Sequence, residues 1–80
     1  MKTIPLIKAY DRARRNRDTI IKFYGGYQNL GPKLDLTGSA IRMWKYRNTA
    51  IPVYNAHHIA DWGDFDFEFI RPDLKKRPGN

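Results

Sequence analysis

The sequence predicts a mainly α domain of four to five helices, followed by a C-terminal β-strand that is a candidate for pairing in a dimer. Apolar residues recur at helical spacing from about residue 18 to residue 62. Residues 64–69 instead alternate strictly between acidic residues and phenylalanine, which is the period of a strand with one apolar face. Eighty residues supply one hydrophobic core, so we expect a single domain.

The N-terminal segment has two alternative interpretations. Residues 3–10 are apolar and look extended, whereas residues 11–17 are either a basic arm or the start of a helix. Clear helical spacing begins within residues 16–18 and ends at the pair Gly25-Gly26. The sequence therefore predicts a basic extension, residues 1–16, ahead of a helical body.

Two short helices are predicted next, over residues 27–34 and 38–48. A cap at residues 28–29 is expected for the first helix, because Pro32 is best tolerated in a first turn. Thr37 is a natural N-cap for the second helix, since its hydroxyl can accept from the free first-turn amides.

The C-terminal part is predicted to combine a helix with a strand. The helix runs from Ile51-Pro52 to about Trp62, with the proline at its first position. Residues 64–70 then form a strand that pairs with a second subunit or with residues 3–8. The basic tail, residues 75–80, is predicted to be disordered.

Charge is distributed unevenly along the chain. The net charge is +7, yet residues 51–70 contain four acidic residues and no lysine or arginine. Basic segments that flank an acidic block are expected when one face meets a polyanion and another does not. A generally solvated surface explains the same charge, so composition alone leaves both interpretations open.

Several classes of function are excluded or disfavoured by composition. The absence of cysteine excludes disulfides, thiolate zinc sites and cysteine nucleophiles. The sequence has no apolar run of membrane-spanning length and no signal-peptide pattern. We recognise no catalytic constellation, cofactor motif or small-molecule site, so we expect a non-enzymatic protein of the cytoplasm without a cofactor or membrane partner.

Residues 27–46 have the layout of a helix-turn-helix, in which two short helices joined by a turn pack at roughly a right angle. Gly31 falls where the two helices come closest. Asp35 occupies the turn position that commonly needs a left-handed residue. The shared inner face is expected to consist of Leu30, Leu34, Leu36, Ile41 and Trp44.

At these positions the chain resembles the Cro-type helix-turn-helix repressors of phages and their prophage-encoded relatives. The later patterns Trp44-Lys45, Ile51-Pro52 and Arg71-Pro72-Asp73 extend the resemblance over roughly residues 17–74. The resemblance implies a nucleoid-associated transcriptional repressor of a bacterial host cell. Such a repressor binds a palindromic operator as a homodimer, with the second motif helix in the DNA major groove.

Carried over by position, the resemblance implies two sets of DNA contacts. Base edges would be contacted by Thr37, Gly38, Ser39, Arg42, Met43 and Tyr46. Phosphates, which fix register without reading sequence, would be contacted by Gln28, Lys33, Lys45, Arg47 and Asn48. Arg42 is the strongest specificity candidate, because its planar guanidinium can bond O6 and N7 of one guanine.

Three further groups of residues have competing interpretations. One is a candidate DNA arm or the solvated first turns of a helix, and it consists of Arg12, Arg14, Arg15 and Arg17. A second group forms part of the core or a dimer interface, and it consists of Phe65, Phe67 and Phe69. The third group offers too few ligands for a metal site, so a structural or surface role is favoured for His57, His58 and Asp61.

Two other functions remain open from the sequence. An excisionase-like winged-helix protein also places proline after a tryptophan-containing recognition helix, and residues 51–70 would then form a wing. Alternatively, the chain is an interaction module, such as an antitoxin or a phage-encoded inhibitor, whose basic faces bind an acidic protein.

Overall fold

The computed structural model describes residues 6–74, and the fold of this part of the chain is mainly helical. Its elements are α1 (Leu6–Phe23), α2 (Tyr27–Lys33), α3 (Gly38–Tyr46), α4 (Val53–Asp61), α5 (Phe67–Ile70) and a 3-10 turn at Pro72–Leu74. The prediction of a mainly α domain is confirmed. Residues 1–5 and the tail predicted to be disordered, residues 75–80, lie outside the described residues.

Helix α1 starts at Leu6 rather than within residues 16–18. The extended interpretation of residues 6–10 and the basic-arm interpretation of residues 11–17 are therefore wrong. Between residues 8 and 17 the buried side chains of α1 are small or charged, so no large apolar residue marks the buried positions at helical spacing. The buried face of the whole helix consists of Ala9, Ala13, Arg17, Ile20 and Ile21.

Three helices end in the same way, each with a left-handed residue just past its last turn. These residues are Gly25, Asp35 and Asn48, with φ values of 93°, 61° and 56°. The N–H of the residue that follows each one bonds back to a carbonyl of the last turn at 2.8–2.9 Å. Such bonds satisfy carbonyls that a helix end leaves free. The left-handed conformation expected at Asp35 is confirmed, and α3 ends at Tyr46 rather than residue 48.

The backbones of α2 and the following turn approach each other closely at Gly31. A Cβ atom on Gly31 would lie 2.8 Å from the carbonyl oxygen of Leu36 and 2.9 Å from the carbonyl carbon of Thr37. Only glycine fits this approach without displacing backbone, which confirms the predicted position of closest contact. Thr37 caps α3 as predicted, because its Oγ1 accepts from the N–H of Ala40 at 3.1 Å.

The start of α2 differs from the prediction. Gly26 occupies its N-cap position, which had been expected at residues 28–29, and Pro32 lies in the last turn rather than the first. The proline is tolerated there because α2 ends one residue later, so little of the helix depends on its missing N–H. The Pro32 carbonyl still accepts from the N–H of Asp35 at 3.0 Å.

One core joins all five helices of the described region. Ile41 is fully buried and Trp44 is buried, so their prediction as core residues is confirmed. Leu34 and Leu36 pack at the margin of the core. The largest fully buried side chains are Ile20, Leu30, Ile41, Ile51, Ile59 and Ile70.

The predicted strand over residues 64–70 is not formed. Residues 64–66 are a loop, and Phe67–Ile70 form α5. Phe65 stacks on Phe69, four residues on, with 5.4 Å between ring centroids, whereas residues of one strand at this spacing do not touch. Ile70 is fully buried, and Phe67, three residues earlier, packs against the core.

The wing expected of an excisionase-like protein is also not seen in residues 51–70, which contain α4 and α5. The N-cap of α4 is Pro52, so the helix begins at Val53, one residue after the predicted first position. Arg71 holds the end of α5 in place, since its Nη1 donates to the Ile51 carbonyl at 2.9 Å. Its Nε and Nη2 donate to the two carboxylate oxygens of Asp73 at 2.9 and 2.7 Å. The Arg71-Pro72-Asp73 pattern is therefore a structural connection.

Candidate nucleic-acid interface

Helix α3 has one exposed face and one buried face. Ile41 and Trp44 point into the core. Four of the predicted base-contacting residues share the opposite face and are exposed, namely Ser39, Arg42, Met43 and Tyr46. The ring of Tyr46 is 82% exposed, so no packing role accounts for it. The structure therefore brings together a guanidinium, a hydroxyl, a thioether and a phenol, all of which can contact base edges in a groove.

Two predicted base-contacting residues at the start of α3 have structural roles. Thr37 is exposed, but its hydroxyl oxygen already accepts from the Ala40 N–H. Gly38 is buried, and a Cβ atom on it would lie 2.8 Å from the side-chain amide of Gln28. The small size of Gly38 thus makes room for Gln28, and its backbone is not free to meet a groove floor.

The predicted phosphate-contacting residues divide into two locations. Gln28 lies over the start of α3, and Lys45, Arg47 and Asn48 are exposed at its end. Lys33 lies elsewhere, because its Nζ stands 5.9 Å from the ring centroid of Tyr24 and 5.8 Å from that of Trp62. The structure does not bring Lys33 together with the residues at the end of α3.

The four arginines predicted as a DNA arm do not act as one group. Arg12 and Arg15 are exposed on α1. Arg14 pairs with Asp11 at 2.6 Å and lies over the ring of Tyr10, with its Cζ 4.7 Å from the ring centroid. Arg17 is buried, so the arginines available to a partner are chiefly Arg12 and Arg15.

Arg17 fixes α1 against the end of α3. Only 4% of its surface is exposed. Its Nη1 donates to the carbonyls of Trp44 and Thr49 at 3.3 and 2.8 Å, and its Nε and Nη2 donate to Asp18 at 2.9 and 3.3 Å. This arginine therefore positions the C-terminal end of α3 and is not available to DNA.

Lys22 was not predicted as a contact residue, yet it lines a cleft together with Lys45. The same cleft is lined by Asp18, Gly25 and Tyr27. Lys22 lies on the exposed side of α1, seven residues and therefore about two helical turns after Arg15. The helical spacing of Arg15 and Lys22 can be recognised in the sequence only if the predicted helix also includes residues 11–17.

The three phenylalanines that were predicted to form an interface do not form one group in the structure. Phe67 stacks on His57 with 4.4 Å between centroids and an interplanar angle of 13°. Phe65 contacts both Phe69 and Phe23, the latter edge-to-face at 5.1 Å. Phe23 is 59% exposed and Phe69 is 39% exposed. Phe23, Phe65 and Phe69 form an aromatic cluster in which Phe23 and Phe69 are exposed and Phe65 is half-buried. Phe23 was not predicted as an interface residue, because it lies on α1 and outside the predicted strand.

The histidines of α4 make aromatic contacts. His57 stacks on Phe67, and His58 meets the edge of Tyr54 at 4.7 Å. Within residues 6–74, no three side chains of the types that bind metals form a cluster suited to an ion. In the same range, no helix has the length and apolar character needed to cross a membrane.

One titratable group in this region is strongly perturbed. Burial raises the pKa of Tyr24 to about 12, and the neighbouring Asp64 carboxylate contributes through a hydrogen bond and through its charge. The Tyr24 hydroxyl donates to Asp64 Oδ2 at 2.9 Å. Tyr24 meets the rings of Trp62 and Phe65 edge-to-face, so the effect belongs to the aromatic and acidic part of the molecule.

Among the residues that the structure describes, each of the three side-chain ion pairs contains an arginine. The pairs are Arg14–Asp11, Arg17–Asp18 and Arg71–Asp73. Within residues 6–74, no carboxylate forms an ion pair with Arg42, Lys45 or Arg47, and such exposed cations suit a polyanionic partner. Comparisons of the chain with protein-family models, curated proteins and solved structures find no match.

Proposed function

We propose that this protein binds double-stranded DNA through α3 and acts as a dimeric transcriptional repressor of the Cro type. The observation that carries the proposal is the division of α3 into two faces. Ile41 and Trp44 are buried, whereas Arg42 and its neighbours on the opposite face are exposed without carboxylate partners in the described structure. A short, capped helix presented in this way suits insertion into a major groove.

The way in which α3 is supported agrees with this role. Gly31 allows α2 to approach the turn before α3, and Arg17 holds the carbonyl of Trp44 near its end. Both ends of α3 are therefore fixed by contacts on the buried side. A recognition helix held by its buried side loses little conformational freedom when it binds, which favours affinity.

Selection of bound sequences from random duplex DNA tests the proposed function. We expect enrichment of a defined site, and Arg42→Ala should relax the preference at one base pair by about 1–3 kcal/mol. Lys33→Ala is the matched control and should leave the preference unchanged, because it removes one positive charge from a residue that lies over the rings of Tyr24 and Trp62 and not on α3. Unchanged preference in Arg42→Ala would refute the role of α3. Absence of any enrichment would favour the alternative interaction module, which binds an acidic protein.

We propose that the dimer forms through the aromatic cluster Phe23, Phe65 and Phe69. Exposed aromatic residues in contact with each other are typical of interface cores. The acidic residues Asp66 and Glu68 adjoin the cluster in the sequence, so two copies would bring like charges together. Self-association should then strengthen with added salt, because salt screens this repulsion. A symmetric selected site would support the dimer, whereas a single half-site would contradict it.

A further inference from the structure

Helices α1 and α3 are separated at the surface by two adjoining clefts. The first, of about 490 Å³, is lined by Lys22 of α1 and Lys45 of α3, with Gly25 and Gly26 between them. The second, of about 240 Å³, is lined by Arg15 of α1 and by Asn48 just after α3. We call this pair of clefts the α1–α3 seam, with Arg15, Lys22, Lys45 and Asn48 as its exposed polar residues.

The acidic residues in the seam are already neutralised. Asp18 lines both clefts, and its two oxygens accept from Arg17. Asp11 lines the second cleft, and its Oδ1 accepts from Arg14 at 2.6 Å. None of the salt bridges found within residues 6–74 involves Arg15, Lys22 or Lys45. The seam therefore presents net positive charge to solvent.

The arrangement of these cations matches a linear anion better than a compact one. Arg15 and Lys22 are seven residues apart on one helix, a separation of about 10 Å along its axis. Because about 10 Å is more than one phosphate group spans, the two side chains suit an anion that carries repeated charges, such as the backbone of a duplex. Gly25 and Gly26 have no side chains that would obstruct the first cleft.

We infer that the α1–α3 seam binds the sugar-phosphate backbone of DNA beside the groove that α3 enters. This inference rests on the proposed function and extends it from one helix to two. Lys22 and Lys45 bind as point charges, whereas the guanidinium of Arg15 can bond two phosphate oxygens at once. These contacts add affinity and fix the angle of α3 without reading the sequence.

The test compares Lys22→Gln and Arg15→Gln with a variant of the same charge change on another surface. Lys33→Gln is the matched control, because Lys33 lies over the rings of Tyr24 and Trp62 and outside the seam. Binding to a fluorescein-labelled duplex of mixed sequence is measured by anisotropy between about 50 and 200 mM salt. Thermal unfolding of each variant establishes that it is folded.

We expect Lys22→Gln and Arg15→Gln each to weaken binding about fivefold at low salt, and each to reduce the slope of log affinity against log salt by about 1. Lys33→Gln should change affinity by less than about twofold, because its charge is screened over roughly 10 Å. Sequence preference in the selection experiment should be unchanged by all three substitutions.

Three results would overturn the inference. Equal weakening by Lys22→Gln and Lys33→Gln would show that net charge, rather than the seam, determines affinity. Unchanged affinity in Lys22→Gln and Arg15→Gln, together with altered preference in Arg42→Ala, would leave DNA binding by α3 intact and refute the seam alone. If the unsubstituted protein does not bind the duplex, both the seam and the proposed function are wrong.

Discussion

The two regions that follow α1 are held in place by different kinds of contact. Residues 27–48, which contain α2 and α3, depend on backbone approach at Gly31 and on left-handed residues at the helix ends. Residues 51–74 depend on side chains that reach between elements. Asn16 donates to the Phe69 carbonyl at 2.6 Å, and Arg71 donates to the carbonyl of Ile51.

The surfaces of these two regions differ as well. The first region exposes Arg42, Lys45 and Arg47. Residues 51–70 instead contain only acidic charges and include two members of the aromatic cluster, Phe65 and Phe69. The contrast teaches that the basic region is shaped by local geometry and joined to α1 through the buried Arg17, whereas the acidic region is joined to α1 through the exposed contacts of Asn16 and Tyr24. Substitutions that affect the basic region should change stability at neutral pH, whereas the substitution at Tyr24, which contacts the acidic region, should change it only at alkaline pH.

The largest expected effect comes from removing the contact that joins α1 to the basic region. Arg17→Ala should lower the free energy of unfolding by about 3 kcal/mol, because it removes a buried side chain and leaves the Thr49 carbonyl and the Asp18 carboxylate without the donor that Arg17 provides. Urea denaturation followed by circular dichroism measures the change.

Arg12→Ala is the matched control for Arg17→Ala, since it removes the same side chain from an exposed position of the same helix. We expect a change within about 0.5 kcal/mol for this variant. Equal effects of the two substitutions would mean that Arg17 is a surface residue, as the interpretation of residues 11–17 as an arm assumed. A loss of DNA binding at unchanged stability in Arg17→Ala would point to the same conclusion.

The contrast between the two regions also explains which parts of the fold the sequence could predict. Thr37, Gly31 and Asp35 act through local geometry, so their roles were predictable from residue type and spacing. The buried face of α1 could not be predicted in this way, because alanines and Arg17 occupy positions where large apolar residues are expected. Burial of Arg17 depends on the Trp44 and Thr49 carbonyls, which are distant in the sequence.

The prediction of a strand in the C-terminal region was wrong for a related reason. Six alternating residues match the period of a strand, but Phe65 and Phe69 are also one helical turn apart, and a stretch this short cannot separate the two periods. Asp66 as a helix N-cap and Pro72 beyond the helix end were available signals for α5. For the candidate site, exposure of the α3 face agreed with the prediction, whereas the location of Lys33 and the cleft at Lys22 required the tertiary structure.

A smaller effect, of opposite sign, is expected at the turn of the basic region. Asp35→Gly should raise the free energy of unfolding by about 1 kcal/mol, because Asp35 has a φ of 61° and glycine adopts this conformation without steric cost. Asp35→Ala should lower it, since alanine lacks the local hydrogen bonding that makes aspartate tolerable there. Midpoints and slopes of urea denaturation distinguish the three proteins. Destabilisation by glycine would indicate a role for the Asp35 carboxylate.

The last effect concerns the acidic region; it is absent at neutral pH and is confined to alkaline pH. The unfolded chain releases the Tyr24 proton near pH 10, whereas the folded protein keeps it until about pH 12. Between these values unfolding releases a proton, so the contribution of Tyr24 is fully present below pH 10 and is lost as the pH rises to 12. Tyr24→Phe should abolish this decline, as measured by urea midpoints at pH 9 to 12.

Asp64→Asn serves as the companion variant for this titration. It removes the carboxylate that accepts from the Tyr24 hydroxyl but leaves the burial of the ring in place. Since burial is the largest cause of the raised pKa, the decline should become shallower in Asp64→Asn without disappearing. Identical pH profiles for the unsubstituted protein and Tyr24→Phe would show that the Tyr24–Asp64 contact does not persist in solution. The acidic region would then be joined to α1 through Asn16 but not through Tyr24.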